Sequence, residues 1–285
     1  MGTEAVDADR FDAFEAAGWE DRVGGYQRFF VPITGRVVEP LLDLARVGPG
    51  SRVLDVASGP GHVAAACAAR GATVVGLDVA HEMVALARAL HPAVEFRQGD
   101  AQRLDFGDRS LDAVVGNFAI LHFGRPERAV ADFARVLAPG GALALSTWDV
   151  PERSRLTGLL GDAIREAGAA PPAHIPVGPP FYRFADEAEF ARLLAGAGLG
   201  DVETRTVGFT HHFGTPEDLW RLLLDATVRS RVLVLDQPAP VQRRIRAEFD
   251  RLVTDYGTGA GLDIPVSVRL AAGVRAPDAG TPDRS

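Results

Sequence analysis

Between Val53 and Ala64 the chain reads Val-Leu-Asp-Val-Ala-Ser-Gly-Pro-Gly-His-Val-Ala. Gly59 and Gly61 fit the spacing G-x-G-x-x-A, which lets a backbone turn approach the phosphates of a dinucleotide. Alone, that match is weak. Four polar residues recur at matching places around it. Asp55 stands four residues before Gly59, Asp78 closes the apolar run 73–78, Asp100 follows the run 94–99, and Asn117 closes the run 111–117. A pyrophosphate is an anion that wants backbone N–H groups and a helix N-terminus, and an acid at that spot works against it. An ionised carboxylate can instead accept two hydrogen bonds at once, as a ribose diol would offer. The glycine loop alone leaves two answers: a nicotinamide or flavin dinucleotide, or another adenosine-bearing cofactor.

These residues need a scaffold that gathers them. From about residue 52 to 148, β-like runs (52–56, 73–78, 94–99, 111–117 and 142–148) alternate with helix-like ones. Continuous apolar strands alternating with helices predict a parallel sheet covered on both faces. In open sheets of that kind ligands bind outside the carboxyl ends of the strands, where the strand order reverses. Asp55, Asp78, Asp100 and Asn117 would then face one crevice. Pro126 suits a first helical position, and Ala-Pro-Gly-Gly at 138–141 reads as a helix stop and turn. Residues 8–47 read as helical pieces broken near Gly24-Gly25, Pro32 and Pro40. Beyond the core, strand-like runs fall near 203–210 and 264–272. The expected organisation is an N-terminal helical lid at 1–47, a core at 48–150, and a C-terminal part of the sheet at 151–275. Insertions at 151–182 and 215–262 would form the rest of the lid, and 276–285 reads as a disordered tail.

S-adenosylmethionine carries an adenosine, an ammonium, a carboxylate and a sulfonium, and no phosphate, so it suits this set of acids better than a dinucleotide does. The stretches VLDVASGPGHVA, VVGLDVAHEMVALAR, FRQGDAQRLDF, LDAVVGNFAILHF and RVLAPGGALALSTWD resemble, in order and spacing, the motifs of class I S-adenosylmethionine-dependent methyltransferases. They look closest to the ubiquinone-biosynthesis-like branch that acts on small molecules. The glycine motif of that family reads D-x-G-C-G-x-G; here Ala57 and Ser58 replace its first glycine and its cysteine. The resemblance implies an α/β, Rossmann-like fold: a mostly parallel seven-stranded sheet, helices on both faces, an antiparallel last strand and helical lid insertions. It also implies roles. Asp55, Ser58, Gly59 and Gly61 would line the methionine end of the cofactor. Asp78 would bind the ribose diol, Val79 and Met83 would lie against the adenine, and Asp100 and Ala101 would read its edge. Asn117 would offer its backbone carbonyl to the ammonium. Tyr26 would close over the cofactor and Arg28 would approach its carboxylate.

Methyl transfer is an in-line displacement in which alignment supplies much of the rate, so no universal catalytic residue is required. A base is needed only where the acceptor must lose a proton. His122, just past the fourth strand, is the best-placed base. Trp19, Phe118, Phe123, Trp148, Tyr182 and His211 are candidates for the acceptor pocket. No His, Asp or Glu spacing argues for a metal.

The 285 residues carry a formal charge of −8, with 47% hydrophobic residues, one cysteine and no lysine. The acidic balance argues against nucleic acid as a partner, and the absence of lysine leaves no Schiff-base chemistry. No apolar run reaches the length of a membrane span, and the N-terminus lacks a signal-peptide core. The expectation is a cytoplasmic monomer or homodimer that methylates a small-molecule acceptor: a specialised metabolite, a quinone precursor or an isoprenoid. S-adenosylhomocysteine would be the other product. A protein of the same fold that has lost methyl transfer and a dinucleotide-dependent oxidoreductase are the alternatives.

Overall fold

The computed structural model describes residues 6–277; residues 278–285 of the expected tail lie outside them. Helix α1 (Ala8–Glu20) starts on Asp7, whose side chain accepts a bond from the Arg10 N–H and caps the first turn. The expected breaks after it are changes of helical pitch. Helix α2 (Val23–Gly25) passes into a π-helical turn (Tyr26–Phe30), then α3 (Val31–Thr34), a 3₁₀ turn (Gly35–Val37) and α4 (Val38–Leu44). Pro32 and Pro40 are second and third residues of their helices, where a backbone N–H has no intrahelical partner to lose.

The core follows as β1 (Arg52–Val56), α5 (His62–Ala69), β2 (Thr73–Asp78), α6 (His81–Leu90), β3 (Glu95–Gln98), β4 (Leu111–Gly116), α7 (Pro126–Val136) and β5 (Leu137–Trp148). Next come α8 (Arg155–Glu166), α9 (Glu187–Gly196), β6 (Leu199–Phe213), α10 (Pro216–Asp225), α11 (Arg229–Leu235) and α12 (Ala239–Val253). The short β7 (Gly257–Thr258) and the long β8 (Gly261–Arg275) complete the order. The sheet runs β3-β2-β1-β4-β5-β8-β6, with β7 paired to β8. Pairs among β1 to β5 are parallel, and β8 is antiparallel to both of its long neighbours. Seven strands form the path and the two-residue β7 is an eighth. Strand β5 starts five residues earlier than its sequence suggests. Pro139 and Gly140 ride in an irregularity of its pairing with β4, with Gly140 in the left-handed region at φ +79°.

Strand order reverses between β1 and β4, so their carboxyl ends open the crevice. Helices flank the sheet and bury its apolar strands; α7, for example, buries Ala129, Val130, Phe133 and Val136 on one face. The N-terminal segment and the helices outside the core share one cluster of buried side chains, in which Phe30, Ile33, Leu156, Leu159, Leu222 and Phe249 meet Phe118 and Trp148.

One ionic knot ties β5, β8 and the segment leading to α8. Asp149, fully buried, accepts bonds from the Ser267 hydroxyl (2.7 Å) and the buried Arg269 guanidinium (3.2 Å). It also accepts two from Arg153 (2.7 and 2.8 Å) and one from the Val150 N–H (2.8 Å). Arg269 reaches Glu187 and Thr206 as well.

Candidate active site

The loop after β1 places three residues in the left-handed region: Ala57 at φ +50°, Gly59 at +51° and Gly61 at +86°. Glycine takes such angles without strain, whereas Ala57 is held there at a cost of about 1–2 kcal/mol. That is a physical reason for glycine in the motif this loop resembles. A Cβ on Gly61 would come within 2.5 Å of the Phe96 ring. Gly61 therefore serves close packing against β3.

Several loop amides are already spent. The Gly59 N–H donates to Asp78 Oδ2 (2.8 Å), the Gly61 N–H to the Ser58 carbonyl (3.0 Å) and the Ala64 N–H to Asp55 Oδ2 (2.9 Å). Pro60 has no N–H.

Above the loop lies a cavity of about 350 Å³. One side carries Gly59, Asp78, Val79, Met83, Asp100, Ala101 and Gln102. Asp78 is buried at the end of β2, where its Oδ1 also accepts the Ala80 N–H (2.9 Å). Burial pushes its carboxyl above the usual range, against the pull of those two N–H donors. Each oxygen keeps a lone pair for a further donor. Asp100 accepts the Gln102 N–H (2.8 Å).

The other side is aromatic, with Phe30, Phe118, Phe123, Trp148 and Phe181 beside Leu121. Phe118 sits at φ +57°. A chain of bonds holds it there: its N–H donates to Ser146 Oγ (2.8 Å), which donates to Asn117 Oδ1 (2.7 Å), while Asn117 Nδ2 donates to the Thr34 carbonyl (3.2 Å). Phe118 and Trp148 pack at 4.1 Å between ring centres. Tyr26 lies over the glycine loop, 3.8 Å from where a Gly59 Cβ would stand. It stacks on Phe30 at 5.6 Å because the π-helical turn brings both rings inward. Burial pushes the Tyr26 hydroxyl up to about 12, so it stays protonated. Behind this wall, burial pushes His62 down to about 4 and keeps it neutral, 3.4 Å from the Thr34 hydroxyl.

The roof comes from α1 and from the start of α11. Asp12, Ala13, Glu15, Ala16 and Trp19 line the cavity from α1, and Val228, Arg229 and Ser230 from the other side. Glu15 is 3% exposed. It accepts bonds from His122 Nδ1 (2.8 Å) and Trp19 Nε1 (3.2 Å), and its other oxygen lies 2.9 Å from Arg229 Nε. Arg229 also donates to the Leu121 carbonyl (2.8 Å).

Twelve residues expected from the sequence line this cavity besides Gly59: Trp19, Tyr26, Asp78, Val79, Met83, Asp100, Ala101, Asn117, Phe118, His122, Phe123 and Trp148. Six others require correction. Asp55 lies beneath the loop, committed to the Ala64 N–H. Ser58 is buried, its hydroxyl without a partner and turned toward Gly76 of β2. Gly61 faces Phe96, as above. Arg28 is exposed on the outside of the π-helical turn, its guanidinium over Phe29 at 5.6 Å. Tyr182 stands one layer back, donating to Thr157 Oγ1 (3.1 Å), while Thr157 and Phe181 do line the cavity. His211 belongs to β6, the edge strand farthest from the switch point on its side, and packs on Phe213 at 4.8 Å.

The sequence did not single out Glu15, Arg229, Asp12, Thr34 or Phe30 as site residues. For Glu15 a signal existed: it shares one helix face with Phe11 and Trp19, four residues away on either side, so it interrupts an apolar stripe. Among the described residues, no group of three His, Cys, Asp or Glu side chains could hold a metal. No helix among them is long and apolar enough to cross a membrane.

A crevice at the switch point with a buried acid at the end of β2 suits an adenosine-bearing cofactor. Comparison with known proteins agrees. The methyltransferase-domain family matches residues 54–145. The demethylmenaquinone methyltransferase of Renibacterium salmoninarum is 31% identical over 175 residues, covering 59% of this chain and 74% of that protein. The enzyme of the same name from Chlorobaculum tepidum is 42% identical over 91 residues, covering 32% of this chain and only 38% of that protein. The YcgJ protein of Bacillus subtilis shares the fold, with a TM-score of 0.58 and 20% identity over 85% of this chain and 99% of that one. The chain belongs to the class I S-adenosylmethionine-dependent methyltransferases of the small-molecule kind, and S-adenosylmethionine is its cofactor.

Proposed function

We propose that this protein methylates a small, largely apolar acceptor bearing an ionisable hydroxyl or an activated carbon, of which a hydroquinone is the favoured example. The observation that carries the reading is a cavity with an acidic, hydrogen-bonding side and an aromatic side, with His122 on its wall. The names of the Renibacterium and Chlorobaculum relatives support a quinol-type acceptor.

The residues fit the cofactor. Asp78 keeps free lone pairs for the ribose diol, Val79, Met83 and Ala101 form a surface for the adenine, and Asp100 accepts at its edge. Gly59 leaves room for close backbone approach, and Tyr26 covers it from above. When bound, S-adenosylmethionine supplies a methyl group on a sulfonium, whose carbon–sulfur bond breaks as the bond to the acceptor forms. The protein's own part is alignment and proton control. Phe118, Trp148 and Phe181 wall in an apolar acceptor, excluding water. His122 takes the acceptor's proton, which leaves the nucleophile's electron pair free for attack.

Calorimetry with S-adenosylhomocysteine and mass spectrometry of products from a short-chain demethylmenaquinol test the reading. Binding together with a product heavier by one methyl group supports it; no binding refutes it. No methylated product from this or simpler hydroquinones refutes the acceptor class. His122→Ala lowers kcat by about 100-fold, the low end of general-base contributions, with S-adenosylhomocysteine affinity unchanged. Turnover near wild type removes the base role.

A further inference from the structure

We propose that Glu15 is a positioning residue for His122, reaching across from the N-terminal helix to complete a carboxylate–imidazole pair. This rests on the base role given to His122 above. Three separate elements meet at the pair: α1 brings Glu15, the segment after β4 brings His122, and the start of α11 brings Arg229. The bond from His122 Nδ1 to Glu15 Oε2 is 2.8 Å. A carboxylate accepts only, so this bond places a hydrogen on Nδ1. In the neutral ring Nε2 is then left as the acceptor. His122 lines the cavity, and Nε2 takes no hydrogen bond from any described residue.

Burial would hold the Glu15 carboxyl protonated; His122 and Arg229 beside it outweigh that and lower it below the usual carboxylate range. Arg229 is nearly buried between the rings of Phe11 (5.2 Å) and Phe181 (4.8 Å), with its Nε 2.9 Å from Glu15 Oε1. Trp19 packs edge-on to the imidazole at 5.1 Å and donates to the same carboxylate. Asp78 at the end of β2 also interacts with the charge of the ring; Asp12 on α1, whose Oδ1 accepts the Gly124 N–H, pairs with Arg125 in the segment just beyond His122.

The proton inventory closes within the pair. The acceptor's proton passes to Nε2, Nδ1 keeps its own, and the imidazolium faces the Glu15 carboxylate. Water removes the Nε2 proton after the product leaves. The base is thus assembled only while α1 is seated on the cavity. Arg229 acts through Glu15, holding it ionised and aimed.

The test uses ¹⁵N-labelled full-length protein loaded with S-adenosylhomocysteine. The wild type shows His122 as the Nδ1–H tautomer; a predominant Nε2–H tautomer overturns the proposal. In Glu15→Gln the fixed preference for the Nδ1–H tautomer is lost, because an amide can donate as well as accept. kcat with short-chain demethylmenaquinol falls by about 10-fold, while S-adenosylhomocysteine affinity stays close to wild type; the melting temperature falls, because Arg229 loses its carboxylate. A folded Glu15→Gln protein that keeps both wild-type kcat and the Nδ1–H tautomer refutes the positioning role. Should that variant not fold, the wild-type tautomer decides alone. If His122→Ala keeps full turnover, the base role falls; if His122→Ala is impaired while Glu15→Gln leaves kcat and tautomer unmoved, only the role of Glu15 falls.

Discussion

Asp78→Asn weakens binding of S-adenosylhomocysteine by about 100-fold, measured by calorimetry at neutral pH. The size follows from two charge-assisted hydrogen bonds to a ribose diol, together about 3 kcal/mol. Asn keeps the shape and one acceptor oxygen, so the bond from either the Gly59 or the Ala80 N–H survives. The loop then stays folded and the loss reports the ligand rather than a collapsed site. A pH series gives a second reading. Burial raises the carboxyl of Asp78 in the free protein, and hydroxyl donors favour its ionised form. Wild-type affinity therefore falls on acidification as Asp78 takes up a proton, and that part of the slope disappears in the Asn variant. Equal affinities across the series would remove the ribose role.

The second large effect is on stability. Asp149→Asn costs about 3 kcal/mol, because it leaves the buried Arg269 short of charge compensation. Glu187 still contacts Arg269 and limits the loss. A chain of this size then melts roughly 6–12 °C lower, seen by circular dichroism. Burial alone would raise the Asp149 carboxyl; Arg153, Ser267, the Val150 N–H and Arg269 outweigh it and hold it well below the usual carboxylate range. A depressed folded value contributes stability that is fully present above the unfolded one and is lost as pH falls through the folded one. The gap between wild type and variant is thus widest at neutral pH and narrows below about pH 4. A constant gap down to pH 2 would contradict the charge account. Because Trp148 precedes Asp149 and lines the cavity, the knot also fixes one aromatic wall.

The parallel half of the sheet was legible because its signals are local. Strands β1, β2 and β4 are short apolar runs, and Asp78, Asp100 and Asn117 stand at or just past the ends of β2, β3 and β4. The roof was not, because it is made by contact across distance. Glu15 and His122 are 107 positions apart, and nothing in either neighbourhood names the other. Orientation was lost as well. Asp55 and Ser58 stand at motif positions, yet the turn through Ala57 directs one to a helix amide and the other toward β2. Arg28 was misplaced because a π-helical turn, which leaves no clear mark in sequence, sets which of the residues 26–30 point inward. His211 was misplaced because the strand order, unlike strand identity, decides which strands reach the crevice.

The placement of β8 between β5 and β6 bears on how the protein is made. β5 and β6 are translated well before the strand that joins them, with α10, α11 and α12 between. Until residues 261–275 leave the ribosome, β5 has a bare edge carrying Leu143, Ala144 and Leu145, all fully buried in the finished sheet. An open apolar edge is a template for wrong pairing. Nascent chains stalled before residue 261 should therefore recruit chaperones and resist compaction, even though the whole methyltransferase-domain match has by then been synthesised.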